Sequence, residues 1–95
     1  MQLYVLDKKG QPKAVTDVIQ WAAWFESADR TLEWTEISDS VHVSTVFLGL
    51  DHNFTASGLP VLWESMIFGG PYNLWSRRYT SEKAARKGHE LAVQI

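Results

Sequence analysis

The sequence predicts an α+β fold: an antiparallel sheet of about four or five strands with two helices packed mainly on one face, in the order β-α-β-β-β-β-α. Three observations predict it. Most of the chain between Thr31 and Phe68 alternates with a period of two. Runs centred on Trp21 and Gly88, on either side of that region, repeat with helical spacing. Short clusters of Gly, Pro, Asn, Asp and Ser punctuate the chain between these runs.

Leu3-Tyr4-Val5-Leu6 reads as a first strand, stopped by the polar turn Asp7-Lys8-Lys9-Gly10-Gln11-Pro12. Thr16 is then placed to cap a helix over residues 17–28. Asp17 suits its positive N-terminus, and Val18, Trp21, Ala22 and Phe25 form its inward stripe with Trp24 toward the edge. Residues 31–37 and 41–48 alternate on either side of Ser38-Asp39-Ser40, which predicts a β-hairpin. From Val46 onward the second of these strands is apolar on both sides, which predicts a central strand covered on part of both faces.

Val61 to Phe68 forms the next strand, with Trp63, Ser65 and Ile67 opposite Glu64, Met66 and Phe68, and Trp75 to Thr80 a short edge strand. The closing helix spans Ser81 to Gln94, capped by Thr80 or Ser81. Its expected contact stripe is Ala84, Gly88, Leu91 and Ile95, where small residues permit close approach to the sheet.

Ninety-five residues, 45% hydrophobic and 21% charged, provide one modest core and are expected to form a single domain over residues 1–95. There is no cysteine, which fits a reducing compartment. No basic and apolar leader follows Met1, and no apolar run approaches the roughly 20 residues that span a bilayer. The expected location is the cytoplasm, with no membrane partner.

The net charge of -2 is unevenly distributed. Residues 17–64 carry Asp17, Glu26, Asp29, Glu33, Glu36, Asp39, Asp51 and Glu64 against Arg30 alone, or -7. Residues 65–95 carry Arg77, Arg78, Lys83, Arg86 and Lys87 against Glu82 and Glu90, or +3. A chain of this balance is not a general nucleic-acid binder, but its basic end suits a small anion.

Two loops stand out as carriers of function, residues 51–60 and residues 69–74. Antiparallel pairing of the strands on either side of the first loop places His52 at one end of the sheet and His42 at the other. The spacing of His42, His52 and His89 matches no compact metal motif, and no cofactor is called for. Asp51 beside His52 reads either as an oriented imidazole for general base work or as a turn-capping carboxylate beside an exposed ring.

Glu64 lies among apolar neighbours, so if its face is covered it must be paired or protonated. It either receives hydrogen bonds from a ribose or base, or pairs with Arg77 or Arg78. Arg77-Arg78-Tyr79 offers guanidinium forks for phosphate and a ring for stacking, with the two arginines on opposite faces. Ser44 lies in no Gly-x-Ser-x-Gly elbow, and no Walker or Gly-x-Gly-x-x-Gly loop occurs. Twelve aromatic residues, five of them tryptophan, exceed the needs of a small core and leave material for a base-stacking or protein-binding patch.

The block Val43-Ser44-Thr45-Val46-Phe47-Leu48-Gly49-Leu50-Asp51-His52-Asn53-Phe54, followed by Pro60, Trp63-Glu64-Ser65-Met66-Ile67-Phe68-Gly69-Gly70 and Arg78-Tyr79, resembles a family of small proteins of tailed phages and prophages. The resemblance extends to the Trp-Ala-Ala-Trp-Phe-Glu helix and to Gly88-His89. It brings no catalytic assignment, so no residue takes a role from it.

Small accessory phage proteins of this kind frequently counter host defence. The leading expectation is therefore an oligomeric protein that sequesters a nucleotide-derived immune signal without cleaving it. Arg77 or Arg78 would hold phosphate. Trp24 or Phe54 would stack on a base, with Tyr79 also able to stack, and Glu64, Asp51, His52 or Ser44 would meet sugar and base polar groups. An alternative is an anti-CRISPR-like protein that blocks a host defence complex, its acidic stretch mimicking nucleic acid. A second alternative is a small nucleotide hydrolase based on Asp51, His52, Glu64 and His89.

Overall fold

The computed structural model describes residues 1–95. It is an α+β fold of two helices and six strands, with a four-stranded antiparallel sheet and a separate two-stranded one. Strands β1 (Leu3–Leu6) and β2 (Pro12–Val15) form a hairpin. Asp7 shapes its turn by accepting hydrogen bonds from the Lys9 and Gln11 amides, each at 2.9 Å. The sequence reading missed β2. Pro12 occupies its first position, where an edge strand tolerates the missing N–H, and the run is too short and exposed to show a period.

Helix α1 (Val18–Ser27) is capped by Asp17, not Thr16: the Asp17 carboxylate accepts from the Ile19 and Gln20 amides. Its inward side chains are Trp21, Trp24 and Phe25, whereas Val18 and Ala22, expected inside, are exposed. The stripe is rotated because α1 packs against β1. There the Trp21 indole donates to the carbonyls of Tyr4 and Gly49, both at 3.1 Å. Gly49 has a φ of 76°, and a Cβ there would press on the Phe25 ring at 3.1 Å.

The main sheet runs in sequence order through β3 (Thr31–Ser38), β4 (Val41–Phe47), β5 (Trp63–Phe68) and β6 (Ser76–Tyr79). Helix α2 (Glu82–Val93), capped by the Ser81 hydroxyl, packs against all four strands. It covers the face carrying Val43, Thr45 and Phe47 from β4 and Trp63, Ser65 and Ile67 from β5, all of them buried. Trp24 reaches the same side, its ring edge-on to Phe47 at 6.0 Å.

The contact stripe of α2 is Ala85, Gly88, His89 and Ala92. Ala84 and Leu91, expected to face the sheet, are exposed. The helix turns this way because His89 is drawn into a polar seam at its centre. Thr45 Oγ1 lies 2.7 Å from His89 Nδ1 and 2.5 Å from Ser65 Oγ, and Thr35 Oγ1 lies 2.8 Å from His89 Nε2. One apolar cluster, Phe47, Leu62, Trp63, Tyr79 and Ala85, lies on one side of this seam, and Val43, Ile67 and Ala92 on the other.

The opposite face has no covering element. Strand β4 is the inner strand expected, between β3 and β5, and on this second face its His42, Ser44 and Val46 are half-buried. No helix is long and apolar enough to cross a membrane.

Candidate functional site

The Tyr79 hydroxyl is the one buried side-chain polar atom without a hydrogen-bond partner. A buried, unpaired polar group costs about 1–3 kcal/mol, so it requires an explanation. Tyr79 ends β6 with its ring in the core, and only 7% of the residue is exposed. Its hydroxyl rests on α2 at Gly88, where any Cβ would overlap both the hydroxyl and the ring. Gly88 thus serves two ends: it lets the helix approach the sheet and leaves room for a phenol.

A groove of about 170 Å³ runs beside this contact, lined by Arg77, Tyr79, Ala84, Lys87, Gly88 and Leu91. The Arg77 guanidinium lies 6.0 Å from the centre of the Tyr79 ring, at the outer limit of cation-π attraction. Neither Arg77 nor Lys87 forms a salt bridge. Two free cations thus border a groove lined in part by Tyr79, whose unsatisfied hydroxyl is itself buried.

The larger cavity, about 260 Å³ between the β1–β2 hairpin and α2, is chemically different. Arg30 donates from Nη1 to the Phe47 carbonyl at 2.9 Å and lies over the Phe25 ring. Arg86 pairs with Glu82 at 3.0 Å and approaches Glu33 at 3.9 Å. Its arginines are already engaged.

No protein-family model matches the chain, and no curated protein or solved structure matches it.

The residues singled out in the sequence fall into four places. Arg77 and Tyr79 share the β6–α2 groove. Arg78 turns to the opposite face and donates from Nε to Glu64 Oε2 at 2.9 Å across the strand pair, so Glu64 takes the ion pair. Ser44 lies on that same open face, paired in register with Trp34 and Met66. Trp24 packs in the core and lines none of the four cavities.

Asp51, His52 and Phe54 lie together in the β4–β5 loop, at the other end of the sheet from His42, which pairs with Phe68. Asp51 Oδ1 accepts from the Asn53 and Val61 amides at 2.8 and 2.9 Å. His52 Nδ1 donates to the Leu50 carbonyl at 2.8 Å. The two side chains serve the loop and do not bond to each other. Phe54 is exposed, its ring tilted 5.8 Å from that of His52.

Five of the eight acids between residues 17 and 64 are similarly occupied. Asp17, Asp29 and Asp51 accept backbone N–H groups, while Glu33 and Glu64 meet arginines. No group of three or more His, Asp or Glu side chains is arranged to hold a metal ion.

Sequence reasoning missed Lys87 and the aromatic ladder of Trp34, His42 and Phe68. On the open face, the Trp34 and His42 rings stack at 5.1 Å and the His42 and Phe68 rings at 5.0 Å. Strand alternation put Trp34 opposite Thr35 and was sufficient to suggest an outward ring. Lys87 carried one signal, its place beside the mid-helix glycine.

Proposed function

We propose that the protein is a non-catalytic binder that sequesters a small nucleotide-derived phosphorylated molecule in the groove between β6 and α2. The unpartnered Tyr79 hydroxyl carries this reading. A phosphate oxygen supplies the acceptor that the hydroxyl lacks, and Arg77 and Lys87 neutralise the charge of the group. Ala84, Leu91 and the Tyr79 ring offer apolar surface to the remainder of the ligand. The resemblance to small phage proteins supports a setting in the host cytoplasm, where the ligand is a defence signal and the protein its sink.

The test is to incubate the protein with cyclic nucleotides, mononucleotides and ADP-ribose derivatives, remove free ligand by filtration, and release bound ligand by heat for mass detection. One compound is expected to disappear from the filtrate and return intact. Tyr79→Phe, Arg77→Ala and Lys87→Ala should each weaken its binding at least tenfold, equivalent to about 1.4 kcal/mol. Tyr79→Phe should leave the ligand-free protein equally stable or more stable, because it removes a buried unpaired hydroxyl. A compound returned chemically altered would indicate an enzyme. If all compounds stay free, or binding is unchanged in Tyr79→Phe, the reading fails.

A further inference from the structure

The side chains along the β6–α2 groove are one-sided in their chemistry. Arg77 and Lys87 only donate hydrogen bonds, and Ala84, Gly88 and Leu91 have no polar side chain. The Tyr79 phenol is buried against Gly88. No carboxylate or amide side chain lines the groove. Protein side chains tell bases apart through Asn, Gln, Asp and Glu as well as Arg, because the exocyclic amines of adenine and cytosine need an acceptor. A lining of donors alone suits an oxyanion and reads a base poorly.

Charge narrows the choice of oxyanion. Neither Arg77 nor Lys87 is paired with an acid of the chain, so the groove presents two uncompensated positive charges. A phosphate monoester carries about −1.5 to −2 charge at pH 7 and three strong acceptor oxygens, which matches both cations. A phosphodiester, cyclic or internal, carries a single negative charge and leaves one cation unanswered.

Size narrows the part of the ligand that enters. At about 170 Å³ the groove is smaller than the roughly 300–1,000 Å³ of pockets that enclose a whole small molecule, so it receives one end of a nucleotide. Leu91, 52% exposed, offers the remainder an apolar surface that every base can meet with its flat face.

We infer that the groove selects the terminal phosphate monoester of a linear nucleotide, is indifferent to the base, and holds cyclic nucleotides and other phosphodiesters only weakly. The inference rests on the groove being the ligand site and narrows the class of ligand.

Isothermal titration calorimetry of the full chain at about pH 7.5, where the monoester is close to a dianion, tests it. The four ribonucleoside 5′-monophosphates are compared with the 3′,5′-cyclic monophosphates of adenosine and guanosine, and with adenosine itself. The four should bind within about threefold of one another, and each at least about tenfold tighter than either cyclic compound or adenosine. Arg77→Ala and Lys87→Ala, with unchanged circular dichroism, should each weaken the open monophosphates more than the cyclic ones and so shrink that preference.

A cyclic compound bound as tightly as its open counterpart, or a spread beyond about tenfold among the four bases, overturns the inference. If Tyr79→Phe still weakens binding in that case, the groove remains the ligand site and only the ligand class falls. Failure of all four monophosphates to bind also overturns it. The reading of the groove as a ligand site falls with it only when cyclic nucleotides and ADP-ribose derivatives stay free as well.

Discussion

Replacing His89 by leucine is the sharpest test of how α2 is held. Leucine roughly preserves the volume but removes both ring nitrogens, which accept or donate to Thr45 Oγ1 at 2.7 Å and Thr35 Oγ1 at 2.8 Å. A neutral imidazole donates through one nitrogen and accepts through the other, so one threonine donates to it and the other accepts from it. Thr45 retains Ser65 after the substitution, whereas Thr35 has no other side-chain hydrogen bond. Two lost bonds and one partly buried hydroxyl left without its partner cost about 2–4 kcal/mol. Against a total stability of about 5–14 kcal/mol for a chain of this length, the loss is large.

Urea unfolding followed by circular dichroism measures it. With a slope of about 1.5 kcal/mol per molar, the midpoint should fall by about 2 M. The cycle with Thr35→Val isolates a single bond, because Thr35→Val should be nearly neutral once His89 is gone. Its coupling energy should be about 0.5–1.5 kcal/mol. A midpoint within about 0.3 M of wild type, or a cycle with no coupling, would refute the view that the seam stabilises helix docking.

Two further outcomes follow from the packing. Gly88→Ala improves helix propensity by about 1 kcal/mol, yet its methyl overlaps the Tyr79 ring as well as the hydroxyl. Overpacking of this kind costs about 1–3 kcal/mol, so chemical denaturation should show net destabilisation, and adding Tyr79→Phe should not restore it. At Asp7, hydrogen bonds from the Gln11 and Lys9 amides, with the Lys13 charge, outweigh burial and hold the carboxyl below its ordinary value. Its stabilising effect is therefore full above the ordinary aspartate range and is lost as the pH falls through the depressed folded value. Amide protection in the β1–β2 hairpin, relative to the intrinsic exchange rate at each pH, should fall across that acid window in wild type but be low and independent of pH in Asp7→Ala.

Much of the architecture was legible because the core strands alternate so regularly. Trp63, Ser65 and Ile67 opposite Glu64, Met66 and Phe68 appears in the sheet as the sequence suggests. The ends of the sheet were legible too, since antiparallel pairing alone separates His42 from His52. The rotation of α2 was not. A hydrophobic stripe read from Ala84, Leu91 and Ile95 takes no account of a histidine whose hydrogen-bond partners are hydroxyls on two different strands. Strand β2 escaped for the opposite reason: its pairing supplies the structure, and its four residues carry little pattern.

For the candidate groove, Arg77 and Tyr79 could be named from the sequence, but Lys87 could not, because only the packing of α2 on β6 brings it to them. The same packing decides between the two arginines. Arg78 is committed to Glu64, whereas Arg77 remains free of any carboxylate.

Helix α2 follows all four strands in the chain and touches every one of them. Until it docks, the Thr45 and Ser65 hydroxyls and the apolar side chains beside them stand in water, and the sheet is wet on both faces. A bare sheet of this kind has little to hold its strands together. Strand pairing and helix docking therefore gain their free energy in one cooperative step, and slow amides in β4, β5 and α2 should exchange at a common rate. Detachment of α2 would uncover the second sheet face as well. The lifetime of that helix contact, more than the strength of the strand ladder, then sets how long each molecule resists aggregation.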